Sequence, residues 1–326
     1  MLNIQSLDLP DLKFLAGSCC LVTGARGLLG TALVELIRAA EPSAEILTPT
    51  RSELDLQDKH GTADYFRNHR PEYVFHMAAT VFGLAGNMAN QMKSLSENTV
   101  INDNLLSALV VAQPRYVFFA STVAGYGFPY SSLPLVESEY FIGEPHRGEY
   151  GYACAKRHAF GYLRLLRKEL NIDTTYGILT NLYGENDRFD EVSGHVIPSL
   201  MVKALKAAET GSSLSVWGDG TATRDFLHAT DAARAILYCA SSPAKTEILN
   251  ISSGVAVSIG EVASIIANCA GLPGLTLEPD KPVGIATRVV DNSRLKSIGF
   301  VQNVLPSVGV PSTFEWLLKH REGMRN

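Results

Sequence analysis

The segment EYGYACAKRHAF, residues 149–160, places Tyr152 and Lys156 four positions apart in a run that reads as helix. On a helix such a pair shares one face. A free phenol titrates near ~10, so moving a proton near neutrality asks for a shift of ~3 units, about 4 kcal/mol. A neighbouring ammonium supplies part of it. Upstream, FFASTVAGYG (118–127) closes a strand-like run with two hydroxyls, Ser121 and Thr122, the latter thirty residues before the tyrosine. One hydroxyl can hold a substrate oxygen while Tyr152 exchanges its proton.

A hydride carrier at the same carbon completes that chemistry, and residues 22–30, VTGARGLLG, offer it a seat. The stretch is G-x-x-G-x-x-G between a strand-like and a helix-like run. Gly24 allows the tight turn, Gly27 lets backbone approach a pyrophosphate, and Gly30 lets helix pack on strand. Arg26, Leu28 and Leu29 belong to the same turn. The plain alternative is a glycine turn that only links strand to helix. After the second strand-like run stand Thr48, Pro49, Thr50 and Arg51, where an acid would receive the ribose hydroxyls of NAD. Arg51, aided by Arg26, suits a 2′-phosphate, which favours NADP over NAD. Asp55 and Leu56 fall beside the adenine, Ala78 and Ala79 after the third strand complete the cofactor set, and Lys156 also reaches the nicotinamide ribose.

The elements that must position these groups alternate. CCLV (19–22), EILT (45–48), YVFHMA and YVFFAS read as strands; TALVELIRAA, DYFRNH and the run from Ser94 to Ala112 read as helices. That rhythm predicts an α/β fold, a doubly wound parallel sheet (Rossmann) over the first ~180 residues. Beyond Asn181 the elements shorten, with helices expected at 196–209, 229–241 and 258–270 and a strand at 247–252. The division is an N-terminal extension (1–16), a dinucleotide-binding part (17–180 and 226–252) and a smaller, discontinuous substrate-binding part (181–225 and 253–326).

A net charge of -5 with 19% charged residues gives no basic stripe for nucleic acid. No run reaches the ~18 apolar residues of a membrane span, and the N-terminus lacks the pattern of an export signal. The five cysteines, without C-x-x-C or zinc spacing, read as reduced thiols of a cytoplasmic protein. Asp187, Asp190 and Glu191 read as a solvated loop rather than a metal site. His76, His158 and His228 read as structural.

Glycine turn, hydroxyl and Y-x-x-x-K, in that order, resemble the extended short-chain dehydrogenase/reductases. TRSELDLQD (50–58), EYVFHMAATVFGLAGN (72–87), TNLYGENDRF (180–189), SGHVIPSLMVK (193–203), SVWGDGTATRDFLHATDAA (215–233) and KPVGIATRVVD (281–291) narrow the resemblance to the GDP-L-fucose synthase family. The resemblance implies an NADP-dependent enzyme on a GDP-linked keto sugar, usually a homodimer. It makes Thr122, Tyr152 and Lys156 catalytic, adds His195 as a further catalytic candidate, and sets Asn181 and His195 beside the sugar. Lys203, Trp217 and Arg224 fall around the nucleotide and its phosphates, and Arg288 falls close to another basic binding position; Ser121, next to the catalytic hydroxyl, is itself expected to touch substrate.

The chain departs from that family at the motif S-S-C-I-Y-P, whose cysteine partners the histidine in epimerisation; aligned on Tyr126 without a gap Ala124 stands in its place, with a one-residue slip Val123, and neither moves a proton. Ketoreduction at C4 is therefore expected without double epimerisation. Phe82 replaces a glycine beside the sugar, and Gly127 replaces the proline. The rival functions are a 4-epimerase or C4-dehydrogenase using tightly held NAD and, more distantly, a dinucleotide-sensing protein without catalysis. A dehydratase would need acids where Val123 and Ala124 stand.

Overall fold

Runs that are apolar throughout make strands buried on both faces, and the amphipathic stretches between them make the helices that bury them. A computed structural model of the chain describes residues 7–82, 86, 88–191, 193–281 and 284–321. The first half runs β1 (Cys19–Thr23), α1 (Leu28–Ala40), β2 (Glu45–Leu47), α2 (Lys59–His69), β3 (Tyr73–His76), α3 (Gln91–Ala112), β4 (Tyr116–Thr122), α4 (Tyr150–Leu170) and β5 (Asp173–Leu179). There follow β6 (Asn181–Tyr183), α5 (Val196–Thr210), β7 (Leu214–Trp217), β8 (Thr223–Arg224), β9 (Phe226–His228), α6 (Ala229–Ser241) and β10 (Ile248–Ile251). The chain ends through β11 (Val257–Ser258), α7 (Ile259–Cys269), β12 (Leu275–Glu278), β13 (Thr287–Arg288), α8 (Ser293–Ser297) and α9 (Pro306–His320).

Six strands form one parallel sheet in the order β10-β5-β4-β3-β1-β2. The winding reverses between β1 and β3, and the crevice outside their carboxyl ends is where such sheets take ligands. Alternation sorts β4: Tyr116, Phe118 and Ala120 face α1 and α6, whereas Val117 and Phe119 face α2, α3 and α4. Helix starts follow local chemistry. Asp58 caps α2 through the His60 amide at 3.0 Å, and Ser258 with Glu261 forms a reciprocal capping box on α7.

A third cluster, with Met201, Ala204, Val262, Ile266, Phe314 and Leu317, gives α5, α7 and α9 a core of their own. Short pairs surround it: β7 with β12, and β8 between β11 and β13.

Two boundaries differ from the sequence division. The N-terminal extension, of which residues 1–6 lie outside the described ones, is no appendage. Leu12 and Leu15 are buried in the first sheet-face core, and Asp8 accepts from Arg234 Nε and Tyr238 Oη at 2.7 Å each. Leu295 and Phe300, assigned to the substrate part, pack into that same core. Buried Arg234 joins these pieces, donating to Asp231 at 2.6 Å and to the Val301 carbonyl at 2.9 Å. Among the described residues no helix is long and apolar enough to cross a membrane.

Candidate active site

The glycine turn lies at the winding reversal, between the end of β1 and the start of α1. Gly24 has φ +72°, and a Cβ there would stand 2.9 Å from the Ala78 amide nitrogen. A Cβ on Gly30 would meet the Gly24 carbonyl oxygen at 2.3 Å, so this position tolerates no side chain. Gly27 is different: the nearest protein atom to its Cβ would be Gly24 O at 3.4 Å. Space therefore remains in front of Gly27, at the helix end whose first amides lack intrahelical partners, and this cradle fits a pyrophosphate. Thr23 Oγ1 lies 3.3 Å from the amides of Met77 and Ala78 and 2.8 Å from His76 Nδ1, joining the ends of β1 and β3. Ala78 and Ala79 are half-buried.

Leu29 and Leu56 require a correction as side-chain contacts, because both are buried in the cores of opposite sheet faces. Only their backbone is left to a cofactor. Arg26 and Arg51 are exposed; Arg51 Nε lies 3.5 Å from Asp55 Oδ2, a weak exposed pair that a 2′-phosphate can displace.

Tyr152 and Lys156 share one face of α4. The lysine ammonium is 1% exposed, 5.8 Å from the centroid of the tyrosine ring and 4.8 Å from that of Phe119. Among the described residues it has no carboxylate partner, and burial draws its pKa down to about 7. Burial raises the Tyr152 phenol, with smaller contributions from Tyr140 and the Glu149 charge. Behind the lysine lies His76, fully buried and pulled down to about 3 by burial and then by Lys156. Its imidazole is neutral.

Thr122 ends β4 and caps the 3₁₀ turn Val123–Gly125, accepting from the Ala124 amide at 3.2 Å. The turn packs on α4. Its own hydroxyl proton is left for another acceptor. Ser121, predicted to touch substrate, is a correction: it points to the opposite side of the strand, where its hydroxyl lies 2.9 Å from Tyr140 Oη in a buried cluster with Tyr176. Arg157 fixes the following loop by donating to the carbonyls of Gly125, Gly143 and Tyr140 at 2.6–2.7 Å. Gly127 is needed there, since a Cβ would lie 2.0 Å from Ile142 O. Phe82 sits under the Lys93 ammonium, 5.7 Å from its ring centroid.

The residues expected on the substrate side form four groups. Lys203 Nζ lies 4.7 Å over the exposed Trp217 ring, beside a cavity of about 360 Å³ lined by Gly218, Asp219, Thr221 and Thr287. Asn181 donates to the Asp225 carbonyl at 3.1 Å. His195, at the start of α5, stands 3.9 Å from Asp187, which raises its pKa. Asp187 is itself a correction. Expected in a solvated loop, its side chain is only 6% exposed.

Arg224 and Arg288 lie side by side in register on β8 and β13. Arg288, expected to bind substrate, is 7% exposed and already engaged: Nε donates to Tyr130 Oη at 2.7 Å, and Nη1 and Nη2 to the Glu149 carboxylate at 3.2 and 2.5 Å. Among the described residues Arg224 has no carboxylate of its own and donates to the carbonyls of Thr223 and Ala286. Sequence reasoning missed Glu149 and Tyr130. An acid just before a helix signals only a favourable helix-dipole position, and its partner lies 139 residues away.

Residues 20–252 match the model of the NAD dependent epimerase/dehydratase family. The GDP-L-colitose synthase of Yersinia pseudotuberculosis is 32% identical over 92% of this chain and 98% of its own length. A GDP-L-fucose synthetase of Naegleria fowleri bound to NADP superposes with TM-score 0.86 at 25% identity, covering 95% of this chain and 97% of the other. The GDP-mannoheptose C4 reductase of Campylobacter jejuni with NADP bound does so with TM-score 0.81 at 26% identity, covering 93% and 98%.

Proposed function

The chain belongs to the NAD-dependent epimerase/dehydratase family, and from that premise we propose that it is an NADP-dependent reductase acting at C4 of a GDP-linked 4-keto sugar. One observation carries the reading. Tyr152 shares its helix face with a buried lysine that has no carboxylate partner among the described residues, next to the turn capped by Thr122, and position 124 holds an alanine.

When bound, NADPH supplies hydride. The Thr122 hydroxyl, free to donate, and the Tyr152 phenol hold the carbonyl oxygen. Burial keeps the phenol protonated, the state that reduction consumes; as negative charge gathers on the oxygen, Tyr152 gives up its proton and Lys156 stabilises the phenolate. Arg224 takes part of the diphosphate charge, while the Lys203–Trp217 shelf and the cavity beside it receive the nucleoside. Gly24, Gly27, Gly30, Ala78 and Ala79 cradle the dinucleotide, and Arg26 and Arg51 its 2′-phosphate.

Inversion at C3 or C5 needs a base on one face and an acid on the other. Ala124 provides neither, and Asp187 biases His195 toward imidazolium, which cannot abstract a proton. His195 serves as a donor to the sugar instead. In this reading residues 17–180 and 226–252 bind the dinucleotide and residues 181–225 and 253–326 the nucleotide sugar, apart from the stretch around Leu295 and Phe300. The free thiols suit the cytoplasm. A homodimer is supported by exposed Val100 and Val111 on α3 and Leu165 on α4, two helices packed side by side.

The test is NADPH consumption with GDP-4-keto-6-deoxymannose in deuterated water. Turnover without deuterium at C3 or C5 is expected. No consumption with any GDP-4-keto sugar would sink the proposal.

A further inference from the structure

The first turn of α4 carries Tyr152 three residues after Glu149, yet the Glu149 carboxylate makes no capping bond to its own helix. Gln91 of α3 does that work: its Oε1 accepts from the Gly151 amide at 2.6 Å, and its Nε2 donates to the Gly148 carbonyl at 2.9 Å. Glu149 is directed away, onto Arg288. The guanidinium is held on three sides, by both carboxylate oxygens and by Tyr130, and the two charged side chains are 8% and 17% exposed. A buried pair of this kind contributes little net stability but is costly to break on one side, which makes it a device for fixing geometry. Arg288 sits on β13, whose neighbour β8 carries Arg224 in the same register. The carboxylate is bonded to Arg288, and Arg224 donates to backbone carbonyls instead, so the uncompensated positive charge of the two lies at Arg224.

We propose that the Glu149–Arg288–Tyr130 cluster is a clamp that locks β13 of the substrate-binding side to the first turn of the tyrosine helix, and that Glu149 is a positioning residue for Tyr152. The proposal rests on the reductase reading of Tyr152. Its consequence for the ligand is a division of labour: Arg288 holds the protein together, and of the two guanidiniums Arg224 is the one that meets the diphosphate. The groups facing Tyr152 are Glu149, Tyr140 and Lys156, so neutralising Glu149 removes a negative charge from the phenol's surroundings and leaves Arg288 positive, both of which lower the phenol's pKa. Neutralising Arg288 does the opposite.

The experiment compares Glu149→Gln, Arg288→Gln and the double variant with the wild type. Amide hydrogen exchange across residues 150–153 is measured without substrate, and kcat against pH with NADPH and the keto sugar. In Glu149→Gln the first turn of α4 exchanges at least about tenfold faster and kcat falls about ten- to hundredfold. The alkaline limb of the profile moves to lower pH in Glu149→Gln, to higher pH in Arg288→Gln, and back toward the wild type in the double variant. Arg224→Gln instead loses mainly in KM for the nucleotide sugar. Unchanged exchange in Glu149→Gln, or limbs that fail to move in opposite directions, overturns the clamp. The exchange measurement stands even if the wild type reduces no keto sugar, so failure of the clamp and failure of the reductase reading remain distinguishable. Should either single variant fail to fold, the charge-free pair Glu149→Leu with Arg288→Met carries the exchange measurement, with a loosened first turn expected and an unaltered one overturning the proposal.

Discussion

The two walls of the cleft, proposed above to take the dinucleotide and the substrate, use charge in opposite ways. On the dinucleotide wall the cations Arg26 and Arg51 stand in solvent, Arg51 held by the exposed side chain of Asp55, and the buried Lys156 has no carboxylate partner among the described residues. On the substrate wall Arg288 is buried and saturated by Glu149 and Tyr130, and His195 leans on the buried Asp187. The first wall is shaped by backbone: a left-handed glycine, a close approach and a helix end. The second is shaped by side chains that meet from distant parts of the chain. A surface built from backbone keeps its form when a side chain is cut, whereas one built from ion pairs does not, so mutations should behave differently on the two sides.

The largest effect is expected where the walls meet. Tyr152→Phe should lower kcat by about 10²–10⁴-fold while changing the NADPH dissociation constant by less than about twofold; equal losses in both would mean the phenol belongs to the binding wall. Next come two glycines of the same turn. Gly30→Val, facing Gly24 O at 2.3 Å, should destabilise by about 3 kcal/mol or more. Gly27→Val should leave the melting temperature within about 2 °C but weaken NADPH at least about tenfold. Calorimetry with and without cofactor separates them.

Arg51→Ala should narrow the preference for NADPH over NADH by about five- to thirtyfold, the worth of one or two charge-assisted bonds, and leave NADH binding itself unmoved. The smallest effect is on stability. The Lys156 pKa is depressed to about 7 in the folded chain from its ordinary 10.5. Between those values the unfolded chain holds more protons, so stability rises with pH across the window. Lys156→Met, with no charge to desolvate, should therefore melt about 2–5 °C higher than the cofactor-free wild type near pH 7, and the gap should shrink as pH rises toward 10. Thermal melts of both proteins at two pH values check it.

Legibility followed the same division. The glycine turn, the hydroxyl before the tyrosine and the four-residue step from Tyr152 to Lys156 are local patterns, and helix periodicity alone puts the last pair on one face. The helices 196–210, 229–241 and 259–269 were likewise readable from periodicity within one residue at each end. What misled were side chains whose neighbours are far off in sequence. Ser121 and Thr122 are adjacent hydroxyls, yet strand alternation sends one to Tyr140 and leaves the other at the cleft. Leu295 and Phe300 looked like part of the substrate unit until their packing on the sheet showed otherwise.

The order of elements, the parallel sheet and the placing of Tyr152 and Lys156 on one helix face follow from the sequence by itself, because each rests on contacts within a turn, a helix face or a strand. Which cations remain free for ligand was decided only by the tertiary structure. A guanidinium satisfied by a carboxylate 139 residues away and one that, among the described residues, donates to carbonyls are the same letter in sequence; only the folded chain brings the partner within hydrogen-bond distance, and a buried charge is neutralised by whatever acid arrives there.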